Sequence, residues 1–109
     1  MPDQYFSTAS FTFVWDSEKN TANIEKHGIS FETAALVFDD DLRLEFPDPD
    51  SPVDEDRYDT IGLVHDVLFV VYCDRDNKRT GDVDIRMISA RRATKYEIEA
   101  YNNNISGRR

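Results

Sequence analysis

The sequence predicts an α+β fold, an antiparallel β-sheet packed against helices in a single domain. Three observations carry this. Two helix signals come early, one over Ser17–His27 and one starting at Ser30. Three strand-like segments then follow one another, about Arg57–Val64, Val67–Cys73 and Val83–Ala90, and read as an antiparallel meander. A last helix, about Thr94–Asn104, opens with Thr94 as N-cap and Glu97 three residues on, the spacing of a capping box.

Residues 1–10 read as a loose leader, residues 11–105 as the one domain and residues 106–109 as a C-terminal tail. Phe11–Trp15 is the first strand, with Phe11, Phe13 and Trp15 on one face. Trp15 belongs in the core, where its indole N–H needs a partner. Asp16 caps the first helix and Gly28 ends it. That helix is unusually polar: Ala22 and Ile24 are its only apolar residues, and Asn20, Asn23 and His27 share a stripe. Its bland reading is a surface helix with only Ile24 docked. Phe31, Ala34, Ala35 and Phe38 give the second helix an apolar face. Leu42–Phe46 is a short strand, and the prolines of residues 47–52 exclude regular structure there. His65-Asp66 reads as a hairpin turn. Val67–Tyr72 is apolar without a break and is expected as a central strand covered on both faces. Asp74–Asp82 is a polar loop. The order is β-α-α-β-β-β-β-α.

Composition excludes several classes. The chain has 109 residues, enough for one core. A single cysteine rules out a disulfide framework and a Cys-based zinc site, and His27 and His65 show no metal-ligand spacing. No cofactor is expected. The longest apolar run is too short to span a bilayer, and Asp3 and Gln4 stand where a signal peptide has a basic region, so a soluble cytoplasmic protein without membrane contact is expected. The net charge of −9 argues against broad nucleic-acid binding. The acidity is local, however: residues 39–59 hold ten acids against Arg43 and Arg57. Sign reverses at Val83–Asn104. Arg86, Arg91, Arg92 and Lys95 gather at a strand-to-helix junction, and residues 85–96 contain no acid. Such a junction suits a phosphate, although arginines at a strand end also pair with nearby carboxylates.

Several motifs carry a resemblance. They are Trp15-Asp16 leading into Asn20 and Asn23; Lys26-His27-Gly28-Ile29-Ser30-Phe31; Val37-Phe38-Asp39-Asp40; Glu55-Asp56-Arg57-Tyr58 leading to Ile61-Gly62; and Arg86-Met87-Ile88-Ser89-Ala90-Arg91 leading to Ala93-Thr94, Glu97 and Tyr101. As an ordered set over about residues 11–101 they resemble the BrnT family of toxins from type II toxin–antitoxin modules. The resemblance implies a RelE-like fold and a ribonuclease that inhibits translation. It also implies a BrnA-type antitoxin in a complex of two toxins and two antitoxins, with operator DNA bound only through the antitoxin. The sequence departs from the family pattern at Thr33, where Glu is common, in the longer and more polar loop Asp74–Asp82, and in its strong acidity.

Metal-independent RNA cleavage uses the substrate's 2′-OH as nucleophile and needs a base, an acid and cations for the phosphorane charge. Arg86, Arg91 and Arg92 are candidates to hold the scissile phosphate. By strand parity Arg86 and Arg91 fall on opposite faces, and they converge only if the strand ends or bulges near Ala90. Glu55 is a candidate base with Arg57 beside the phosphate; the same spacing suits a loop carboxylate paired with its own arginine. His27 is a candidate acid, having the pKa nearest neutrality, yet a helix C-terminus favours histidine anyway. Lys19, Lys26, Arg92 and Lys95 are candidates for flanking phosphates. Tyr58, Tyr96 and Tyr101 can stack a base or pack in the core or an interface. Two classes follow: an endoribonuclease toxin, or a module that keeps the antitoxin-binding surface without cutting RNA. Acids of residues 39–59 lying away from the arginines favour the first; acids folded across them favour the second.

Overall fold

The computed structural model describes residues 3–107. The chain runs through β1 (Asp3–Ser7), β2 (Thr12–Asp16), α1 (Ser17–His27), α2 (Phe31–Ala35), a 3₁₀ turn (Leu36–Asp39), β3 (Leu44–Pro47), β4 (Tyr58–Leu63), β5 (Val67–Asp76), β6 (Val83–Arg92) and α3 (Lys95–Gly107). This is the expected α+β order with one strand added. Asp3–Ser7 is no loose leader: it pairs antiparallel with β2, and its alternation puts Gln4 and Phe6 on the face of Trp15 and Phe13. Gln4 Oε1 accepts from Trp15 Nε1 at 2.9 Å, which supplies the partner the buried indole needs. Residues 106 and 107, expected in the tail, continue α3. Residues 1–2 of the expected leader and 108–109 of the expected tail lie outside the described residues.

The six strands lie in the order β1-β2-β6-β5-β4-β3, all neighbours antiparallel except β2 and β6, which run parallel. One face of the sheet meets α1, α2 and the 3₁₀ turn. Phe13, Trp15, Leu68, Val70, Tyr72, Ile85, Met87 and Ala90 pack there against Ile29, Phe31, Ala34, Ala35, Val37 and Phe38. Phe38 joins the layers, with edge contacts to the rings of Phe13 at 5.2 Å and Tyr72 at 5.0 Å.

The polar helix α1 docks through amides, not through Ile24, which is 44 % exposed. Asn23 Nδ2 donates to the carbonyls of Ile29 at 2.8 Å and Ala90 at 2.9 Å, and its Oδ1 accepts from Ala90 N at 3.1 Å. The reason lies in the sheet. β2 pairs with β6 only at Phe13–Ile85 and Val14–Arg86 before turning into α1, which leaves the edge of β6 at Ala90 without a strand. Asn23 offers a donor and an acceptor in the place of that strand. Asn20 does similar work, accepting from Phe31 N at 2.8 Å and donating to Glu32 at 3.1 Å. Caps close both ends of α1 as expected: Asp16 Oδ1 accepts from Glu18 N at 2.8 Å, and Gly28 adopts a φ of 71°.

β5 is central but not covered on both faces. Leu68, Val70 and Tyr72 are buried under the helices, while Phe69 and Val71 on the other face are half-buried. That second face carries its own small apolar contact, where Ile61 and Tyr101 are buried where β4 meets α3. Tyr101 Oη donates to Asp40 Oδ2, and the same carboxylate oxygen accepts from Leu63 N at 2.9 Å, so the acid ties α3 to the end of β4. The other part of the second face, the open face, lacks a helix among the described residues; on it Val14, Cys73 and Asp84 are buried and Arg86 is half-buried.

Candidate functional site

The open face is assembled by a bulge. Val71 pairs with Ser89, but the next residue, Tyr72, pairs with Met87, so Ile88 is an extra residue in β6. Without it, Arg86 and Arg91 point to opposite faces. With it, Arg86 is paired with Cys73 and Arg91 with Phe69, and both face away from the helical core. Val14 of β2 and Tyr5 of β1 stand in the same row as Arg86, and Asp59 of β4 stands in the row of Val71 and Ser89.

Three groups of charges lie on this face. In the first, Arg57 Nε donates to Glu55 Oε2 at 2.7 Å, and the Cys73 thiol lies 3.7 Å from Glu55 Oε1. The Arg57 hydrogen bond, with help from the charges of Arg57 and Arg86, outweighs burial and holds the Glu55 carboxyl below its ordinary range. Burial, then the Glu55 charge, pushes the Cys73 thiol up, so it is a protonated donor here. The Arg86 side chain makes no hydrogen bond or ion pair among the described residues. In the second group, Arg91 grips Glu97 with both Nη atoms, at 2.7 and 3.0 Å, and its guanidinium lies 4.2 Å over the Phe69 ring. Glu97 also closes the capping box, accepting from Thr94 N at 2.8 Å while Thr94 Oγ1 accepts from Glu97 N at 3.3 Å. In the third, Asp59 is only 3 % exposed and its Oδ1 finds no hydrogen-bond partner. Burial, then the neighbouring Asp48 carboxyl, pushes its pKa up to about 7, against the pull of Arg91.

The candidates therefore divide. Glu55, Arg57, Arg86 and Arg91 come to one face. His27 ends α1 in the helical layer, where its carbonyl accepts from Arg92 Nη1 at 3.3 Å. Arg92 pairs with Leu68, on the core side, and reaches Asp66 at 3.4 Å. Lys19 and Lys26 are exposed on α1, and Lys95 is exposed in the first turn of α3. Tyr58 packs against the core and Tyr101 is buried, while Tyr96 is exposed.

Asp59 is not among the residues that the sequence reading singles out. A signal existed: Glu55, Arg57 and Asp59 share parity in an extended chain, and an acid on the face of Ile61 is an acid turned inward. The acids of residues 39–59 fold partly across the arginines, with Glu55 against Arg57 and with Asp59 beside both Asp48 and Arg91. Among the described residues no group of three or more His, Cys, Asp and Glu side chains is placed to hold a metal ion. No helix among them is long and apolar enough to cross a membrane.

No curated protein matches the chain. Residues 15–97, about three quarters of its length, match the family described as the ribonuclease toxin BrnT of type II toxin–antitoxin systems. The match begins at Trp15, takes in α1 with its asparagines, Glu55 and Arg57, the bulged strand and its arginines, and ends at the Glu97 that Arg91 holds. The chain belongs to the BrnT family of ribonuclease toxins, whose systems pair each toxin with an antitoxin.

Proposed function

We propose that this chain cuts RNA on the open face of its sheet, without a metal ion, and thereby inhibits translation in the cytoplasm. Arg86 and Arg57 hold the scissile phosphate, Glu55 takes the proton of the neighbouring 2′-OH, and the 2′-oxygen attacks phosphorus. The bond to the 5′-oxygen breaks, and that oxygen takes a proton from solvent at the open face. Arg91, fixed by Glu97 and Phe69, lends charge without leaving its carboxylate. His27 and Arg92, in the helical layer, stand outside the chemistry in this reading, and Lys19, Lys26 and Lys95 contribute at most flanking phosphate contacts. The antitoxin is of the BrnA type, two copies with two toxins, and carries the operator-binding domain.

One observation supports this most directly: the bulge at Ile88 brings Arg86 to the face of Arg91, and among the described residues no carboxylate is bonded to the Arg86 guanidinium, whose charge reaches Glu55 from a distance. A free guanidinium beside an arginine–carboxylate pair is a ready site for a phosphate and an adjacent base. The test is inducible expression with growth and RNA integrity as readouts, comparing wild type with Arg86→Ala, Glu55→Gln and His27→Ala. Each of the first two lowers cleavage by about 10²-fold or more, and the third leaves it unchanged. Cleavage that survives Arg86→Ala and fails with His27→Ala overturns the assignment.

A second reading has its own support. Arg57 and Arg91 already carry internal carboxylates, and Asp48 and Asp59 add negative charge nearby. On that reading the face receives a basic segment of the antitoxin and cuts nothing. A folded wild-type chain that is harmless without antitoxin decides for it.

A further inference from the structure

We infer that a concavity beside Arg86 is a subsite for a base of single-stranded RNA, one nucleotide away from the phosphate that Arg86 holds. This rests on the RNA-cutting reading above and extends it to substrate recognition. The concavity, of about 630 Å³, is lined by Tyr5, Arg75, Lys78 and Arg79, with the acids Asp76 and Asp84, among others. Its position follows from register. Tyr5 pairs with Val14, and Val14 with Arg86; Arg75 pairs with Asp84, two residues from Arg86 on the same strand. All of these face the open side of the sheet. Two residues of strand span roughly 7 Å, so the concavity adjoins the phosphate site.

Its chemistry suits a nucleotide. Tyr5 is 60 % exposed on a strand paired with β2 and offers a stacking surface that any base can use. Arg75 Nη1 is held by Asp3 at 2.9 Å, which fixes one wall. The β5–β6 loop is tied internally: Asn77 Oδ1 accepts from Arg79 N at 3.0 Å, and Asn77 Nδ2 donates to Asp84 Oδ2 at 3.0 Å. This loop presents Lys78 and Arg79, whose side chains make no hydrogen bond or ion pair among the described residues. An open aromatic ring flanked by uncommitted cations and next to a phosphate site is the arrangement by which proteins hold single strands. Tyr5 lies outside the residues that match the family, so this chain's own N-terminal strand supplies the stacking surface.

The experiment is fluorescence anisotropy with a labelled single-stranded RNA heptamer whose 2′-hydroxyls are methylated, so that it binds without being cut. Wild type, Tyr5→Ala, Tyr5→Phe and Arg79→Glu are compared, with thermal unfolding of each and cleavage of unmodified RNA in parallel. Tyr5→Ala weakens binding by about 5- to 100-fold, Tyr5→Phe restores it, and Arg79→Glu weakens it with the fold intact. If wild type binds and cuts RNA while Tyr5→Ala and Arg79→Glu bind equally well, the subsite is refuted and the cutting reading stands. If wild type neither binds nor cuts, both fall. If the variants keep RNA but lose the antitoxin, the concavity belongs to the protein partner and the inference fails.

Discussion

Replacing Asp59 with asparagine should make the protein more stable above neutral pH. Asp59 is buried and without a hydrogen-bond partner at Oδ1, and its pKa is raised to about 7 by burial and by Asp48. An acid whose folded pKa lies above its unfolded value keeps its proton longer when folded. Its stabilising effect is complete below the unfolded pKa, near 4, and is lost as pH rises to the folded pKa. A shift of this size corresponds to at most about 4 kcal/mol, of which roughly 2–3 kcal/mol falls between pH 5 and pH 7. That window is clean with respect to the carboxyls held low. Asp40, Glu55 and Glu97 have folded pKa values below their ordinary ones, so their contributions are lost only as pH falls through the acid range. Asparagine keeps the shape, carries no charge and donates to Asp48 at every pH. The assay is urea unfolding of both proteins at pH 5, 6, 7 and 8. Wild type loses stability across the series faster than Asp59→Asn, and the variant is the more stable at pH 8. Parallel profiles, or a variant weaker than wild type at pH 8, refute the reasoning.

Other substitutions probe the scaffold beneath the site. A Cβ at Gly62 meets Val37 Cγ1 at 2.6 Å and the Val37 carbonyl at 3.3 Å, so Gly62→Ala costs about 1–3 kcal/mol in chemical denaturation. Asn23→Ala removes three buried hydrogen bonds and strands both backbone groups of Ala90; a loss of about 2–4 kcal/mol is expected from the same measurement. Thr94→Ala opens the capping box and costs about 1 kcal/mol, measured as a shift in the unfolding midpoint.

Local chemistry made much of this fold legible in the sequence. Asp16, Gly28, Ser30 and Thr94 mark helix ends because caps act within a few residues, and all four do so in the structure. At Ser30 the hydroxyl accepts from Thr33 N at 3.1 Å and also meets the Thr33 hydroxyl, so half of the capping box survives where glutamate is missing. What stayed hidden depends on partners distant in sequence. Gln4 matters because Trp15 is opposite it in a strand pair, and nothing near residue 4 announces that. The polar stripe of α1 reads as a solvated surface because its partner, the unpaired edge at Ala90, lies 67 residues from Asn23. Parity makes an end or a bulge of the strand near Ala90 a condition for the two arginines to meet, but it does not say whether a strand slips, and the slip falls at Ile88. Asp59 is hard to single out because its significance comes from burial, and in the sequence only its shared parity with Ile61 points to that.

The acidity of the chain makes sense as part of how the arginines are kept. Cations on an open sheet face repel one another, and without RNA bound they need counter-charges to hold their places. Glu55 and Glu97 supply these within 2.7 Å of Arg57 and Arg91, and each carboxylate comes from a segment that itself needs fixing: the proline-rich loop and the first turn of α3. Asp40 shows the same economy, since its one carboxylate closes the turn at Leu42, ends β4 at Leu63 and anchors Tyr101. Much of the negative charge is thus committed inside the fold. A phosphate arriving at Arg86 competes with no bonded carboxylate there, whereas at Arg57 it must share the guanidinium with Glu55. On the proposed reading both arginines contact the phosphate, Arg86 chiefly drawing it in by charge and Arg57 also setting the position of Glu55 beside it. High salt should then weaken RNA binding to Arg86→Ala less steeply than to wild type, because a screened attraction is what that substitution removes.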